Sequence, residues 1–155
     1  MKSELWVDLE STIIPHWNYI DDFVNESKFE TLIDAFNPHK IVIYSYAVWC
    51  EENREHFKKS EVYKKISARF PVTIKTTKEM EEDCGYLHQH MKHIPDRSIW
   101  YVPKEFSFLM SVRREIEKGS DTKCFVLFDD TAPHGHTYTI NDTQKAFYFN
   151  PDNMP

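Results

Sequence analysis

One short stretch constrains the fold of this chain more than any other. Residues 5–12 read LWVDLEST, an apolar run that ends in the acids Asp8 and Glu10. A short apolar run bounded by polar residues is typical of a buried strand. In open α/β sheets, ligands lie beyond the carboxyl ends of the strands. The stretch therefore predicts a buried strand that carries two carboxylates to the edge of a sheet.

The same pattern recurs later in the chain. Residues 40–48 form a nearly continuous apolar run that includes Ser45, and residues 123–130 form an apolar run that ends in two acids. A shorter strand is predicted over 71–76. Between the strands, apolar residues recur at helical spacing. The predicted helical segments are 27–36, 51–70, 78–93 and 103–118.

Strands that alternate with helices predict right-handed crossovers and a parallel sheet. We therefore expect an α/β fold, a three-layer α/β/α sandwich around a Rossmann-like, mainly parallel sheet. Residues 137–140 and 146–149 would add late edge strands, and 150–155 would form a tail. The strong strands would end at one edge of the sheet. That edge would collect Asp8, Glu10, Ser45, Asp129 and Asp130.

Length and composition restrict the class of protein. The 155 residues, 41% of them hydrophobic, predict a single domain over 1–155 with a substantial core. The net charge of −6 argues against non-specific binding to nucleic acid or to an anionic membrane. No apolar run approaches the ~20 residues of a membrane span. The 3 cysteines are far apart and odd in number, which favours a reducing, cytoplasmic location.

Three or four carboxylates at one sheet edge repel one another, so a cation or a shifted protonation state must offset the repulsion. Oxygen ligands without clustered cysteines favour a hard cation, and Mg²⁺ fits best. Lys104 follows Pro103 at the start of a predicted helix, where a positive charge opposes the helix dipole. That placement is easier to explain if Lys104 faces an anion. Metal, lysine and hydroxyl together form a site for a dianionic phosphoryl group, which an Asp can attack as nucleophile.

These stretches, in this order, resemble the motifs of the haloacid dehalogenase (HAD) superfamily of phosphohydrolases. That superfamily carries Asp-x-Asp-x-Thr after its first strand and a Ser or Thr after its second. A Lys then opens a helix, and two acids follow a later strand. The matching positions here are Asp8 to Thr12, Ser45, Lys104, Asp129 and Asp130. The ordered set covers residues 4–130.

The resemblance implies a role for each matched residue. Asp8 would attack phosphorus to form an aspartyl-phosphate, and Glu10 would protonate the leaving oxygen and later activate water. Ser45, Tyr46 and Lys104 would bind the phosphate oxygens. The Mg²⁺ ligands would be Asp8, Glu10 through its backbone carbonyl, and Asp130, with Asp129 as a further ligand or an orienting group.

The predicted function is therefore Mg²⁺-dependent hydrolysis of a phosphomonoester. Active members of the superfamily usually carry Asp where this chain has Glu10, and a catalytic group displaced by about 1 Å can cost on the order of 100-fold in rate. This departure leaves a second hypothesis open, a catalytically weak or inactive HAD-like module that binds a phosphate ligand or a partner protein. A third, weaker hypothesis is a metal-dependent nuclease that uses the clustered acids; the acidic net charge counts against it.

Neither gap between the motifs has room for a full cap domain. Residues 12–40 hold a flap and one helix, and 77–97 hold a helix and a possible small lid. The expected substrate is a phosphorylated small molecule or nucleotide, or a phosphorylated nucleic-acid end or protein. The side chains that would cover a small ligand are Trp17, Tyr19, Phe23, His88, His90 and His93.

Zinc bound by these three histidines and Cys84 is a weaker alternative, because their spacing matches no standard zinc pattern.

Overall fold

The computed structural model describes residues 1–85 and 102–155, which form one six-stranded sheet and five α-helices. The strands are β1 (Ser3–Val7), β2 (Lys40–Tyr44), β3 (Val72–Lys75), β4 (Cys124–Phe128), β5 (Thr137–Thr139) and β6 (Lys145–Phe149). The helices are α1 (Glu26–Phe36), α2 (Glu51–Lys58), α3 (Glu61–Ser67), α4 (Thr77–Asp83) and α5 (Lys104–Glu117).

The strand order across the sheet is β3-β2-β1-β4-β6-β5, and every pairing is parallel except that of β5 with β6. The predicted α/β class and mainly parallel sheet are therefore confirmed. The expectation of an edge strand at 146–149 is wrong, because β6 lies between β4 and β5. Phe147 and Phe149 pack against Phe36 of α1, while Ala146 and Tyr148 are buried in the other core cluster. The strand is thus covered on both faces.

The register of the parallel strands brings their carboxyl ends level with one another. Val7 pairs with Ile43 on β2 and with Phe128 on β4. The ladder continues one step further, since the N–H of Asp8 donates to the carbonyl of Phe128 at 2.9 Å. The residues that follow β1, β2 and β4 therefore emerge at one edge, as the sequence pattern predicts.

Two hydrophobic clusters cover the two faces of the sheet. The alternation of a strand separates them, because Leu5 and Val7 belong to one cluster and Trp6 belongs to the other. Helices supply buried side chains on both sides, which explains the nearly continuous apolar runs of the strands. The first cluster includes Phe29, Leu32, Phe57, Val62 and Ile66. The second includes Met80, Phe108, Met110 and Val112.

Local capping signals explain where several helices begin and end. Ser60 divides α2 from α3, since its hydroxyl accepts the N–H of Tyr63 at 3.0 Å. Thr76 and Glu79 form a reciprocal capping box at the start of α4. After α5, Gly119 adopts a φ of 100°, a left-handed conformation that Gly reaches without a Cβ clash.

The C-terminal segment and the predicted lid are the remaining parts of the chain. Residues 150–155, expected to be a tail, contain a 3-10 helix at Pro151–Asn153, and Asn150 Nδ2 donates to the carbonyl of Asp130 at 2.8 Å. The possible lid at 77–97 is described only as far as Gly85. The three histidines of the ligand-cover and zinc predictions lie outside the described residues. Within residues 1–85 and 102–155, no helix has the length and apolar character needed to cross a bilayer.

Candidate active site

The centre of the site is an ion pair between the end of β1 and the start of α5. Asp8 is the first residue after β1 and is 4% exposed. The Nζ of Lys104, in the first turn of α5, lies 2.6 Å from Asp8 Oδ1 and 3.3 Å from Asp129 Oδ2. The anion that the position of Lys104 predicted is thus a pair of carboxylates.

Three carboxylates lie close together beside this lysine. Asp8, Asp129 and Asp130 each offer an oxygen within 4.8 Å of the other two. Asp129 is completely buried, and its Oδ1 accepts both the N–H and the hydroxyl of Thr131 at 2.9 Å. Its Oδ2 faces the Lys104 ammonium but has no hydrogen bond within the described residues. Asp8 and Asp129 therefore share one ammonium with Asp130 close by, and negative charge remains to be offset.

Thr12 links the carboxylates of two strands. It is fully buried, and its hydroxyl lies 3.1 Å from Asp8 Oδ2 and 3.4 Å from Asp130 Oδ1. The same oxygen accepts the backbone N–H of Asp130 at 3.1 Å. The left-handed conformation of Ser11, with a φ of 62°, turns the chain back so that Thr12 faces the acids. The threonine thus sets the positions of Asp8 and Asp130.

Burial dominates the electrostatics of the site. It raises the pKa of Asp8 to about 7, although Lys104 pulls that pKa down and Asp129 adds to the rise. Partial burial likewise raises the pKa of Asp130. Burial alone would lower the pKa of Lys104, but the carboxylates of Asp8 and Asp129 outweigh it and raise that pKa. The lysine is therefore a fixed positive charge, whereas Asp8 holds its proton more tightly than an exposed carboxyl.

The carboxylate of Glu10 is directed towards the flap. Its Oε2 accepts the backbone N–H of Trp17 at 3.0 Å and lies 3.5 Å from Nε2 of His16. The side chain is 37% exposed and does not belong to the group formed by the three aspartates. Glu10 thus lies next to the site in the chain, with its charge outside the described carboxylate group.

The two predicted phosphate-binding residues after β2 differ in their surroundings. Ser45 is 2% exposed, and its Oγ accepts the N–H of Ala47 at 3.2 Å. The hydroxyl proton of Ser45 therefore remains for donation to another acceptor. The hydroxyl of Tyr46 donates to the carbonyl of Val102 at 2.7 Å and lies 2.9 Å from Ser107 Oγ. Its ring centre is 4.9 Å from the Lys104 ammonium, a cation–π distance. Tyr46 therefore holds the start of α5 and the lysine in place.

Three residues with hydroxyl groups belong to the site although no role was predicted for them. They are Thr12, Ser107 and Thr131. The sequence could have indicated Thr12 as a site residue, because it is the last position of the first motif, Asp8 to Thr12. Thr131 follows two acids directly, and Asp commonly binds the backbone two residues on. Ser107 lies one helical turn beyond Lys104, and nothing in the local sequence distinguishes it.

The flap aromatics are largely occupied by the domain itself. Trp17 contacts the rings of His56 and Phe57, and Phe23 contacts Phe29. Tyr19 is 64% exposed. Of these three aromatic side chains, only Tyr19 is largely exposed and so available to cover a ligand.

A cavity of about 320 Å³ opens above the ion pair. It is lined by Tyr46, Pro103, Lys104, Glu105 and Thr131. Lys104 thus contacts the buried carboxylates and also borders a space that a ligand can enter.

The carboxylate group suits a hard divalent cation. Its donors are all oxygens, which such cations prefer, and they lie close enough to share one ion. The buried Asp129 Oδ2, which has no hydrogen bond among the described residues, is an oxygen that such a cation would bind. The residues present therefore fit a metal.

Comparisons with protein-family models, with curated proteins and with solved structures found no match for this chain.

Proposed function

We propose that this chain is a Mg²⁺-dependent phosphomonoester hydrolase with a HAD-like three-layer fold and no full cap domain. The observation that carries the proposal is the buried Lys104 ammonium, 2.6 Å from Asp8, beside two further carboxylates. Purely structural ion pairs seldom include surplus buried charge, because each buried ion has a large desolvation cost. Surplus charge facing a cavity is expected where a metal and an anionic substrate bind.

Asp8 is the proposed nucleophile. One of its carboxylate oxygens would form a bond to phosphorus while the bond from phosphorus to the ester oxygen breaks, and the leaving oxygen would gain a proton from an acid. A water molecule would then attack phosphorus, give a proton to the same group acting as base, and release inorganic phosphate and the Asp8 carboxylate. Glu10 is the proposed acid and base.

Lys104 would offset the charge of the phosphoryl oxygens, as a fixed donor that stays protonated through the reaction. Ser45 would donate its hydroxyl proton to a phosphoryl oxygen. Tyr46 would act on Lys104 through its ring and hold the start of α5. Asp8, Asp129, Asp130 and the backbone carbonyl of Glu10 would hold Mg²⁺. The ion would neutralise negative charge on the phosphoryl group and the carboxylates.

The proposed substrates are phosphorylated small molecules, nucleotides or a phosphorylated nucleic-acid end or protein. A cytoplasmic location agrees with three cysteines that form no disulfide. The acidic net charge of −6 argues against extended contact with nucleic acid or with an anionic membrane.

A panel of phosphomonoesters, assayed for phosphate release with Mg²⁺ and with EDTA, tests the proposal. We expect Mg²⁺-dependent release that falls by at least 10³-fold in Asp8→Asn, since a covalent step needs the nucleophile. Asp34→Asn, on the exposed face of α1, is the matched control and should retain full activity. Hydrolysis that persists in Asp8→Asn would overturn the role of Asp8.

A second candidate function is a module that binds a phosphate ligand or a partner protein without turnover. The observation that favours it is the hydrogen bond from Trp17 N–H to the Glu10 carboxylate, which commits the proposed acid and base to the flap. Mg²⁺ or inorganic phosphate that stabilises the fold, with no hydrolysis of any ester in either the natural chain or Glu10→Asp, would favour this function.

A further inference from the structure

A second cavity, of about 450 Å³, lies between α5 and the β5–β6 hairpin. Its size is within the range of small-molecule sites. Glu105 lines both this cavity and the one above Lys104, so the two spaces adjoin. The cavity is also lined by Phe106, Arg113, His136 and Tyr138. A ligand that enters beside Lys104 can therefore extend past Glu105 into this second space.

The cavity presents aromatic side chains to solvent. Phe106 is 51% exposed and Tyr138 is 39% exposed. The Arg113 guanidinium carbon lies 6.0 Å from the Tyr138 ring centre, and Arg113 Nη2 donates to the Tyr138 hydroxyl at 3.1 Å. Exposed aromatic faces beside an arginine are a common platform for stacking a planar ring. This face contrasts with Trp17 and Phe23, whose rings pack on the domain.

The position of Phe106 on α5 determines how far such a ring lies from the phosphoryl site. Phe106 follows Lys104 by two residues, so at about 3.6 residues per turn their side chains leave opposite sides of a helix that is about 10 Å across. A ring bonded directly to the phosphoryl oxygen would stay beside Lys104. A ring that reaches Phe106 needs a spacer of roughly the size of a sugar between it and the phosphate.

We infer that this second cavity is the base-binding subsite of the proposed phosphatase, and that its substrate is a nucleoside monophosphate. The inference rests on the proposed function, because it takes the phosphoryl group to lie at Lys104. The ribose would pass Glu105, and the base would stack on Phe106. Arg113, His136 and Glu105 supply the donors and acceptors that the polar edge of a base requires.

Binding is tested first, in the Asp8→Asn background so that the ligand stays intact. The ligands are adenosine, guanosine, cytidine and uridine 5′-monophosphates, with ribose 5-phosphate as the matched ligand that lacks a base. At least one nucleotide should bind about tenfold or more tightly than ribose 5-phosphate, a ratio typical of one stacked base. The ratio should fall below threefold in Phe106→Ala and be retained in Phe106→Tyr. Equal affinity for nucleotides and ribose 5-phosphate would overturn the inference.

Tyr19→Ala is the competing variant, because Tyr19 is the exposed aromatic of the flap. Loss of the nucleotide preference in Tyr19→Ala, with the preference retained in Phe106→Ala, would place the base on the flap and overturn the subsite. Phe106→Ala should fold normally, since the side chain it removes is half exposed. A far-ultraviolet circular dichroism spectrum and a melting temperature check this.

Hydrolysis separates the subsite from the proposed function. Equal kcat/KM for nucleotides and ribose 5-phosphate, with loss of both in Asp8→Asn, would retain the phosphatase and overturn the subsite. Nucleotide binding that depends on Phe106, without hydrolysis of any phosphoester, would support the subsite and overturn the phosphatase. Hydrolysis of nucleotides at least tenfold better than of ribose 5-phosphate, reduced to parity in Phe106→Ala, supports both.

Discussion

The ammonium of Lys104 and the carboxylate of Asp8 lie 2.6 Å apart, although 96 residues separate them in the chain. Both side chains are buried, at 10% and 6% exposure. The pair joins the carboxyl end of β1 to the first turn of α5, where the helix dipole alone would disfavour a cation. The energetic reason for a lysine at this position is therefore the group of carboxylates that it faces.

Lys104→Met should destabilise the protein because it leaves buried carboxylates without their counter-charge. We expect the free energy of unfolding to fall by about 3 kcal/mol at pH 8, as is usual when one partner of a buried pair is removed. The loss should be smaller at pH 5.5, since Asp8 can then take up a proton. Urea denaturation in EDTA measures both values. Lys58→Met, which removes an exposed partner of Glu55, should change stability by less than about 0.5 kcal/mol; equal effects of the two variants would contradict the prediction.

The pKa of Asp8 predicts a pH dependence for the metal-free protein. Burial raises this pKa to about 7 in the folded chain, from an ordinary value of 3.8. The folded state therefore binds the proton more tightly, so this group favours folding below pH 3.8 and loses that contribution as pH rises through 7. From pH 5 to pH 7.5, wild type should lose on the order of 2 kcal/mol relative to Asp8→Asn.

Urea denaturation of both proteins in EDTA at the two pH values gives the comparison. Titrating groups far from Asp8 are common to both chains, so their contributions cancel in the difference. A difference that does not change with pH would mean that Asp8 keeps an ordinary carboxyl pKa in the folded protein.

Local patterns were enough to predict the convergence of Asp8, Asp129, Asp130 and Lys104. Each acid follows a strand that is buried on both faces, and parallel strands that pair in register end at one edge. Helical spacing placed Lys104 in the first turn of its helix, and dipole electrostatics indicated an anion nearby. These inferences depend on periodicity and strand direction, which the sequence carries locally.

The direction of the Glu10 side chain and the position of β6 could not be predicted in the same way. Glu10 precedes a left-handed residue, Ser11, and the turn that follows sends its carboxylate to the Trp17 N–H. β6 pairs with β4 in the sheet although β5 lies between them in the chain, so its position depends on non-local pairing. Both features depend on where distant segments pack, so local residue patterns do not determine them.

Thr12→Val should separate the role of the threonine hydroxyl from that of its shape. The substitution removes the partner of Asp8 Oδ2 and of the Asp130 N–H while it keeps the buried volume. We expect a loss of about 1–3 kcal/mol in unfolding free energy, the usual cost of unpaired buried polar groups. Thr12→Ser should recover most of that loss, because it restores the hydroxyl.

Thr31→Val on α1 is the matched control for this substitution. Its hydroxyl is exposed and bonds the carbonyl of Ser27, so the change should cost less than about 0.5 kcal/mol. Similar unfolding free energies for Thr12→Val and Thr31→Val would show that the hydroxyl of Thr12 does not hold the carboxylates.

Mg²⁺ should stabilise the folded protein by binding the three aspartates. A cation at 100 times its dissociation constant adds about 2.7 kcal/mol, which corresponds to a rise of several degrees in melting temperature for a chain of this size. Asp130→Asn should abolish most of the rise, since it removes one of the grouped carboxylates. Differential scanning calorimetry with MgCl₂ and with EDTA measures the effect. Asp142→Asn, on an exposed turn, should retain it; a rise that survives in Asp130→Asn would exclude this aspartate as a ligand.

Glu10→Gln tests whether Glu10 transfers a proton, because glutamine keeps the size of the side chain and can still accept the Trp17 N–H. We expect kcat to fall by about 100-fold or more for esters with alkyl leaving groups, which need a proton. For p-nitrophenyl phosphate, whose leaving oxygen is stable as an anion, the loss should be clearly smaller. His16→Asn removes the imidazole beside Glu10 but leaves its carboxylate intact, so kcat should stay within about twofold. Steady-state kinetics with both ester types give the comparison, and equal losses for the two leaving groups would assign Glu10 to positioning rather than to proton transfer.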